Sequence, residues 1–271
     1  TAQVLNNTAN INNNRTDRAC DPCDERYGGY PGGPGGNQPP NCVIPGFPAD
    51  HPHNYRYLHD IYDDEQPIRG AKEAAARFIE RFDPRYDQVG YIAYSSSATI
   101  VSELECVRRR GVENCNADVI KTNVTDKVRA SNAGGSTNIP YGLMLGIDVL
   151  SSRSNHYGRP GAAHIMVFMT DGEANTIDGT SSACYAEDYW PQNTGNSSID
   201  RAKDCTVYYA RQARNNGIVI HSITLGDGAD TELMQYIAEL TGGVHRHAPR
   251  PEQLDPIFEE LYNRIFLRLV E

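Results

Sequence analysis

The sequence predicts an α/β chain: a doubly wound, mainly parallel sheet with helices on both faces, preceded by a long irregular arm. Three observations carry this. From Pro67 onward, short apolar runs suited to buried strands alternate with amphipathic helical patterns, the order that a parallel sheet with crossover helices requires. The 271 residues suffice for one such domain with a large core. By contrast, residues 1–66 hold no sustained period: "NNTANINNNRT" is Asn-rich, and "YGGYPGGPGGNQPPN" breaks both helix and strand. The chain divides accordingly into an irregular, cysteine-stapled arm or insertion (1–66) and a folded domain (67–271).

Each element has its own signal. In "PIRGAKEAAARFIERF" the apolar positions 71, 74, 75, 78, 79 and 82 trace one helical face. Pro67 suits its first turn, and Asp63, Asp64 and Glu65 complement its N-terminal dipole. "DQVGYIAYSSSATI" contains a short buried strand around Val89, Tyr91 and Ala93. "NIPYGLMLGIDVLSS" reads as a helix with Ile139, Leu143, Ile147 and Leu150 on one side, and the strand "AHIMVFMT" follows it. After an insertion at about 173–196, Ser197 and Asp200 form a capping-box pattern ahead of a helix that Gly217 ends. "GIVIHSITLG" reads as a strand, "DTELMQYIAELTGG" as a helix capped by Asp230 and stopped by Gly242, and "GVHRHA" as an edge strand. The last helix runs from about Pro256 to Val270, with Ile257, Phe258, Leu261 and Ile265 facing inward.

The net charge of −10 offers no basic stripe for nucleic acid. An acidic surface suits divalent cations, and it equally serves solubility. No run approaches the ~20 apolar residues of a membrane span, and "TAQVLNNTAN" lacks the pattern of a signal peptide. A start on Thr1 points to processing or truncation upstream. The seven cysteines lie mostly in polar segments, which favours disulfides and an extracytoplasmic setting, secreted or at the cell surface. Cys106 and Cys115 bracket a short loop and form one expected pair; Cys184 in the insertion and Cys205 in the next helix form another. Cys20, Cys23 and Cys42 leave one thiol over, so one is free, bonds another chain, or pairs upstream. "CDPC" with His51, His53 and His59 is also half of a zinc pattern, but no second cysteine pair at knuckle spacing completes it. Asn-x-Ser/Thr sequons stand at Asn6, Asn14, Asn123 and Asn196.

Two motifs fall where such sheets bind ligands, at the carboxyl ends of strands. "GGSTNIPYGL" places Ser136, Thr137 and Asn138 at a helix start, and N-capping by Thr or Asn is its structural explanation. "HIMVFMTDGEAN" ends an apolar strand on Asp171, whose carboxylate costs several kcal/mol to bury unless a metal ion or hydrogen bonds receive it. In combination, over residues 67–271, they resemble the von Willebrand factor A domain. The resemblance implies a metal-ion-dependent adhesion site, with Thr137 and Asp171 as ligands of Mg²⁺ (or Ca²⁺ or Mn²⁺) and a partner protein's carboxylate at the open position. Ser136 and Asp227 of "LGDG" would support it from the outer shell, although turn formation accounts for Asp227 by itself.

The sequence departs from that family in one respect. The Asp-x-Ser-x-Ser loop that should follow a first apolar strand is missing; the region before Pro67 reads "YLHDIYDDEQ", and "YSSSAT" at 94–99 belongs to the next strand. Because the family's first strand is central, its slot must be filled. The filler is a strand upstream of Thr1, a strand donated by another chain, or a rerouted arm in a metal-free domain. The arm ahead of "PIRGAKEAAARFI" also looks like the secreted A domains of bacterial Tad-type pilus-assembly proteins.

The function expected is an adhesion or protein-binding module, cation-dependent, within a surface or pilus-like assembly. The alternative is a metal-free structural subunit of a filament whose arm wraps a neighbour. A hydrolase is disfavoured: no Gly-x-Ser-x-Gly elbow appears, and His164 and His221 lie in strands as core or edge residues.

Overall fold

A computed structural model describes residues 67–105, 117–132, 134–151, 161–186, 188–192 and 197–268. The arm with Cys20, Cys23 and Cys42, the acidic run at 63–65, the Cys106–Cys115 pair and the sequons at Asn6, Asn14 and Asn196 lie outside these residues.

Helix α1 (Pro67–Ile79) leads into a hairpin of β1 (Val89–Tyr94) and β2 (Ala98–Glu105). Next come α2 (Ala117–Ile120), a π-helical turn (Lys121–Thr125), α3 (Asp126–Ala130) and α4 (Ile139–Leu150). Strand β3 (His164–Thr170), the insertion with its 3₁₀ turn (Ser182–Tyr185), α5 (Ser197–Asn215) and β4 (Ile218–Leu225) follow. The chain closes with α6 (Thr231–Thr241), β5 (His245–Ala248) and α7 (Leu254–Arg268).

β3, β4 and β5 form a parallel sheet in which His164 faces Ile218 and Ser222 faces His245. β1 and β2 pair antiparallel as a separate hairpin, with Ile92 opposite Ile100 and an irregular register near Val89 and Tyr91. Side-chain parity shows that hairpin and sheet lie in one layer. Met166 and Phe168 of β3 and Tyr94 of β1 join the core under α4, α5 and α6. Ile165, Val167 and Met169 of β3 and Val89 and Tyr91 of β1 join the core under α1, α3 and α7. Both strands therefore expose the same two faces to the same two cores, yet among the described residues no ladder joins them. Tyr94 links them: its ring stacks on Phe168 at 4.8 Å, and its hydroxyl donates to the Met169 carbonyl at 2.5 Å. Gly142 of α4 admits this stack, since a Cβ there would lie 3.1 Å from Tyr94 and 3.2 Å from Phe168.

Local chemistry sets the other elements. Asp230 caps α6, its Oδ1 accepting from Leu233 N at 3.0 Å. α5 begins at Ser197 itself, so the expected Ser197–Asp200 cap shifts into the helix and the capping position falls outside the described residues. On the far face, Arg77 of α1 forks onto Asp255 of α7, and Arg129 of α3 reaches Glu73 of α1 and Glu80 just after it. The sequon at Asn123 lies in the π-helical turn, where Thr125 is fully buried and donates to the Lys121 carbonyl. The folded chain thus turns inward the hydroxyl that glycan transfer needs. Cys184 and Cys205, both fully buried, are joined by a disulfide with Cα atoms 4.4 Å apart, tying the insertion to α5. Among the described residues no helix is long and apolar enough to cross a membrane.

Candidate metal-binding rim

The ends of β1, β3 and β4 and the start of α4 meet at one rim. Asn138 organises it. Its side-chain oxygen caps α4 by accepting from Tyr141 N at 3.1 Å, and its backbone N–H donates to the Ser95 carbonyl at 2.7 Å. Its amide nitrogen donates to the carbonyls of Ser96 (3.0 Å) and Asp178 (2.9 Å). One buried side chain thereby satisfies the helix end and fastens loops from both sides of the divided sheet.

Because Asn138 takes the capping role, Thr137 does not. Its backbone is clamped to Asn175, with Thr137 N donating to Asn175 Oδ1 at 2.9 Å and Asn175 N donating to the Thr137 carbonyl at 3.1 Å. Its hydroxyl is left over: Thr137 is 1% exposed and Oγ1 has no hydrogen-bond partner. Leaving a buried hydroxyl unsatisfied costs about 1–3 kcal/mol.

Asp171 follows β3 directly and is 6% exposed. Thr170 Oγ1 donates to the Gly172 carbonyl at 3.1 Å and shapes the turn. The loop after β4 comes alongside, close enough that a Cβ on Gly228 would lie 3.3 Å from the Asp171 carbonyl oxygen. Burial pushes the Tyr94 phenol far above its usual range, and the charge of Asp171 pushes it the same way. Tyr94 therefore remains a neutral donor beside the rim.

Of the residues singled out in the sequence, Thr137 and the Asp171 loop are held together through Asn175. Ser136 is exposed, with its N–H donating to Ser96 Oγ at 2.9 Å, while Gly135 (φ +91°) makes the bend that carries the chain past Ser96. Asp227 is exposed on the adjoining loop. Sequence reasoning named Asn138 only as a capping candidate alongside Thr137, and it missed Asn175, Ser96 and Tyr94 as organisers. Both asparagines stand inside the quoted motifs, Asn138 next to Thr137 and Asn175 four residues past Asp171. The serine turn at 95–97 supplies carbonyl and hydroxyl acceptors to the helix-start loop. His221 is a core residue, 1% exposed, with Nδ1 accepting from Val244 N at 3.1 Å.

The donor set fits part of a hard-cation shell. A buried hydroxyl lacking a partner and a carboxylate in the adjoining loop are oxygen donors of the kind that hard cations take. Among the described residues no group of three or more His, Cys, Asp or Glu converges, so Thr137 Oγ1 and Asp171 make up only part of a cation shell there. Between the insertion and α5 lies a separate cleft of about 180 Å³, lined by Asp188, Trp190, Pro191, Gln192, Asp200 and Asp204, which includes neither Thr137 nor Asp171. Asp204 serves there as an anchor, its Oδ1 accepting from Trp190 N at 2.7 Å; burial raises its carboxyl above the usual range, helped by Asp188 and Asp200.

Comparison with known proteins bears on the fold. The family described as "von Willebrand factor type A domain" matches residues 64–260. Calcium-activated chloride channel regulator 1 of Sus scrofa is 28% identical over 160 residues, covering 59% of this chain and 13% of that protein. Among solved structures, a von Willebrand factor type A protein from Catenulispora acidiphila is similar with a TM-score of 0.51 at 15% identity, over 73% of this chain and 38% of that one. Proximal thread matrix protein 1 from the mussel byssus gives a TM-score of 0.51 at 16% identity, over 74% and 42%. The chain thus spans less than half the length of each relative, and at these identities the two structures speak for the fold alone.

Proposed function

The chain belongs to the von Willebrand factor type A domain family, and we propose that it is a non-enzymatic protein-binding module of an extracytoplasmic assembly, whose rim holds a divalent cation. The observation that carries this reading is the Thr137 hydroxyl, buried at the rim with no partner while its neighbour Asn138 does the capping. Thr137 Oγ1 and the Asp171 carboxylate would hold Mg²⁺, Ca²⁺ or Mn²⁺, hard ions that take oxygen ligands. When bound, the cation supplies a Lewis-acidic position for a carboxylate of the partner protein. Asn175 and Asn138 fix the backbone around Thr137, and Thr170 shapes the turn that presents Asp171. A first strand between β1 and β3, ending in the family's Asp-x-Ser-x-Ser loop, would complete the shell. The Cys184–Cys205 disulfide supports the extracytoplasmic setting.

Thr137→Val tests the reading through opposite signs. Removing an unsatisfied buried hydroxyl while keeping its shape raises the metal-free stability by about 1 kcal/mol, while Mg²⁺ affinity by titration calorimetry falls about tenfold or more. A variant that loses stability and binds the cation as before would overturn the assignment.

That no ladder joins β1 to β3 among the described residues favours a second reading, a metal-free structural subunit in which a neighbour's strand joins them. Under it, neither Thr137→Val nor a chelator changes the association state measured by sedimentation. Under the first reading, both dissociate a cation-bridged complex.

A further inference from the structure

The rim as described leaves one buried charge unused. Lys203 lies on α5 with its side chain 9% exposed, and its ammonium stands 2.8 Å from Glu173 Oε1 and 2.8 Å from Asp230 Oδ2. Withdrawing an ammonium from water costs several kcal/mol unless partners compensate. Here the partners come from different loops. Glu173 is two residues past Asp171 in the loop that leaves β3. Asp230 ends the loop that leaves β4 and carries Asp227, and it is anchored in turn as the cap of α6. Just ahead of these anchors the two loops approach closely: a Cβ on Gly228 would lie 3.3 Å from the Asp171 carbonyl oxygen.

The helix that carries Lys203 is itself fixed. Cys205, two residues on, bonds Cys184, and the neighbouring Asp204 accepts from Trp190 N. Lys203 therefore projects from a rigid base into the junction of two loops.

We propose that Lys203 is a positioning residue, which holds the Asp171 loop and the Asp227 loop in register and thereby sets the rim's affinity for a divalent cation. The link to affinity rests on the cation reading above, whereas the clamp rests on contacts alone. Charge and position make opposite demands here. A cationic side chain near a cation site weakens binding through space, so its removal should tighten binding if charge were all that mattered. If the clamp matters, its removal loosens binding.

Lys203→Met alone would strand the Asp230 carboxylate and risk unfolding. The double variant K203M/D230N removes the pair with no change in net charge, and asparagine still caps α6. Lys203→Arg keeps the charge. In the full chain without metal, amide exchange at residues 172–175 should quicken about tenfold in the double variant and stay near wild type in K203R. Mg²⁺ affinity should fall about tenfold in the double variant and be retained in K203R. Unchanged exchange overturns the proposal whatever the cation does. Quickened exchange with unchanged or tighter Mg²⁺ binding overturns the link to affinity. If wild type binds no Mg²⁺ while exchange quickens as expected, the cation reading falls and the clamp stands.

Discussion

The two parts of the sheet are built from similar residues and end up differently buried. In β4, which has a partner on each side, seven of eight residues are buried; in β1, which pairs only with β2 among the described residues, all six are half-buried. Hydrophobicity does not separate "IVIHSITL" from "VGYIAY" strongly enough to explain this. Position does: β4 is flanked by β3 and β5 and shares both cores, whereas among the described residues β1 is paired on one side alone. Unpaired strand edges invite pairing by another segment. The rim sits at the ends of β1 and β3, with Asn138 reaching from α4 to the serine turn after β1.

The sharpest way to break this comparison is to make one substitution in each part. Ile220 of β4 is fully buried, and Ile220→Ala should cost about 4 kcal/mol. Ile92 of β1 is half-buried, and Ile92→Ala should cost about 1–2 kcal/mol. Urea unfolding of both variants reads the difference directly. Equal losses would show that another strand pairs with the other side of β1 and buries it as fully as β4.

A smaller effect is expected from the disulfide, which lies wholly in the three-stranded part. Cys184 and Cys205 are 21 residues apart, and closing a loop of that length contributes roughly 3 kcal/mol. Reduction should lower the stability by about that amount and quicken amide exchange in residues 173–190, while the β1–β2 hairpin keeps its own rates. Hairpin exchange that rises in step would mean that the two parts unfold as one unit.

How far the sequence disclosed this depended on where the information lay. α6 was readable to the residue because Asp230 and Gly242 punctuate it, and β4 because its apolar run is bounded on both sides. Strand β2 was harder: its turn, Ser95–Ser97, has none of the glycine or asparagine that marks a hairpin, and its alternating glutamates look like surface. The stretch from Ala117 to Ala130 gave no helical signal, since Thr122, Val124 and Thr125 are β-branched and the backbone there widens into a π turn supported by the burial of Val124 and Thr125 and by the Thr125 hydroxyl on the Lys121 carbonyl. At the rim, Thr137 and Asp171 were visible as residue types in strand-end motifs. What the sequence could not show is that Asn138 rather than Thr137 caps α4. Either residue suits that role by propensity, and only the three-dimensional acceptors at Ser96 and Asp178 decide between them.

The smallest expected effect is a pH dependence confined to the outer edge of the three-stranded part. His245 of β5 donates from Nδ1 to Ser222 Oγ at 2.9 Å, because Ser222 spends its own proton on the Met234 carbonyl. Its Nε2 then faces Thr224 Oγ1 at 3.3 Å, and Thr224 also meets His247 Nδ1 at 2.9 Å. Burial holds the His245 imidazole below its ordinary value, the charges of His247 and Arg246 lower it further, and Glu239 of α6 opposes them. Arg246 in turn is paired with Glu260 of α7. A histidine with a depressed folded pKa binds its proton more readily in the unfolded chain. Its contribution to stability is therefore complete above the ordinary value near 6.5 and is lost as pH falls from there through the folded value. Amide exchange across β5, corrected for intrinsic rates, should quicken between pH 7.5 and 5 in wild type and lose most of that dependence in His245→Gln. The β1–β2 hairpin, which has no histidine in residues 89–105, should show no such trend. A pH response of equal size in the hairpin would mean that an edge event in β5 is felt at β1, and that the two parts of the sheet are coupled after all.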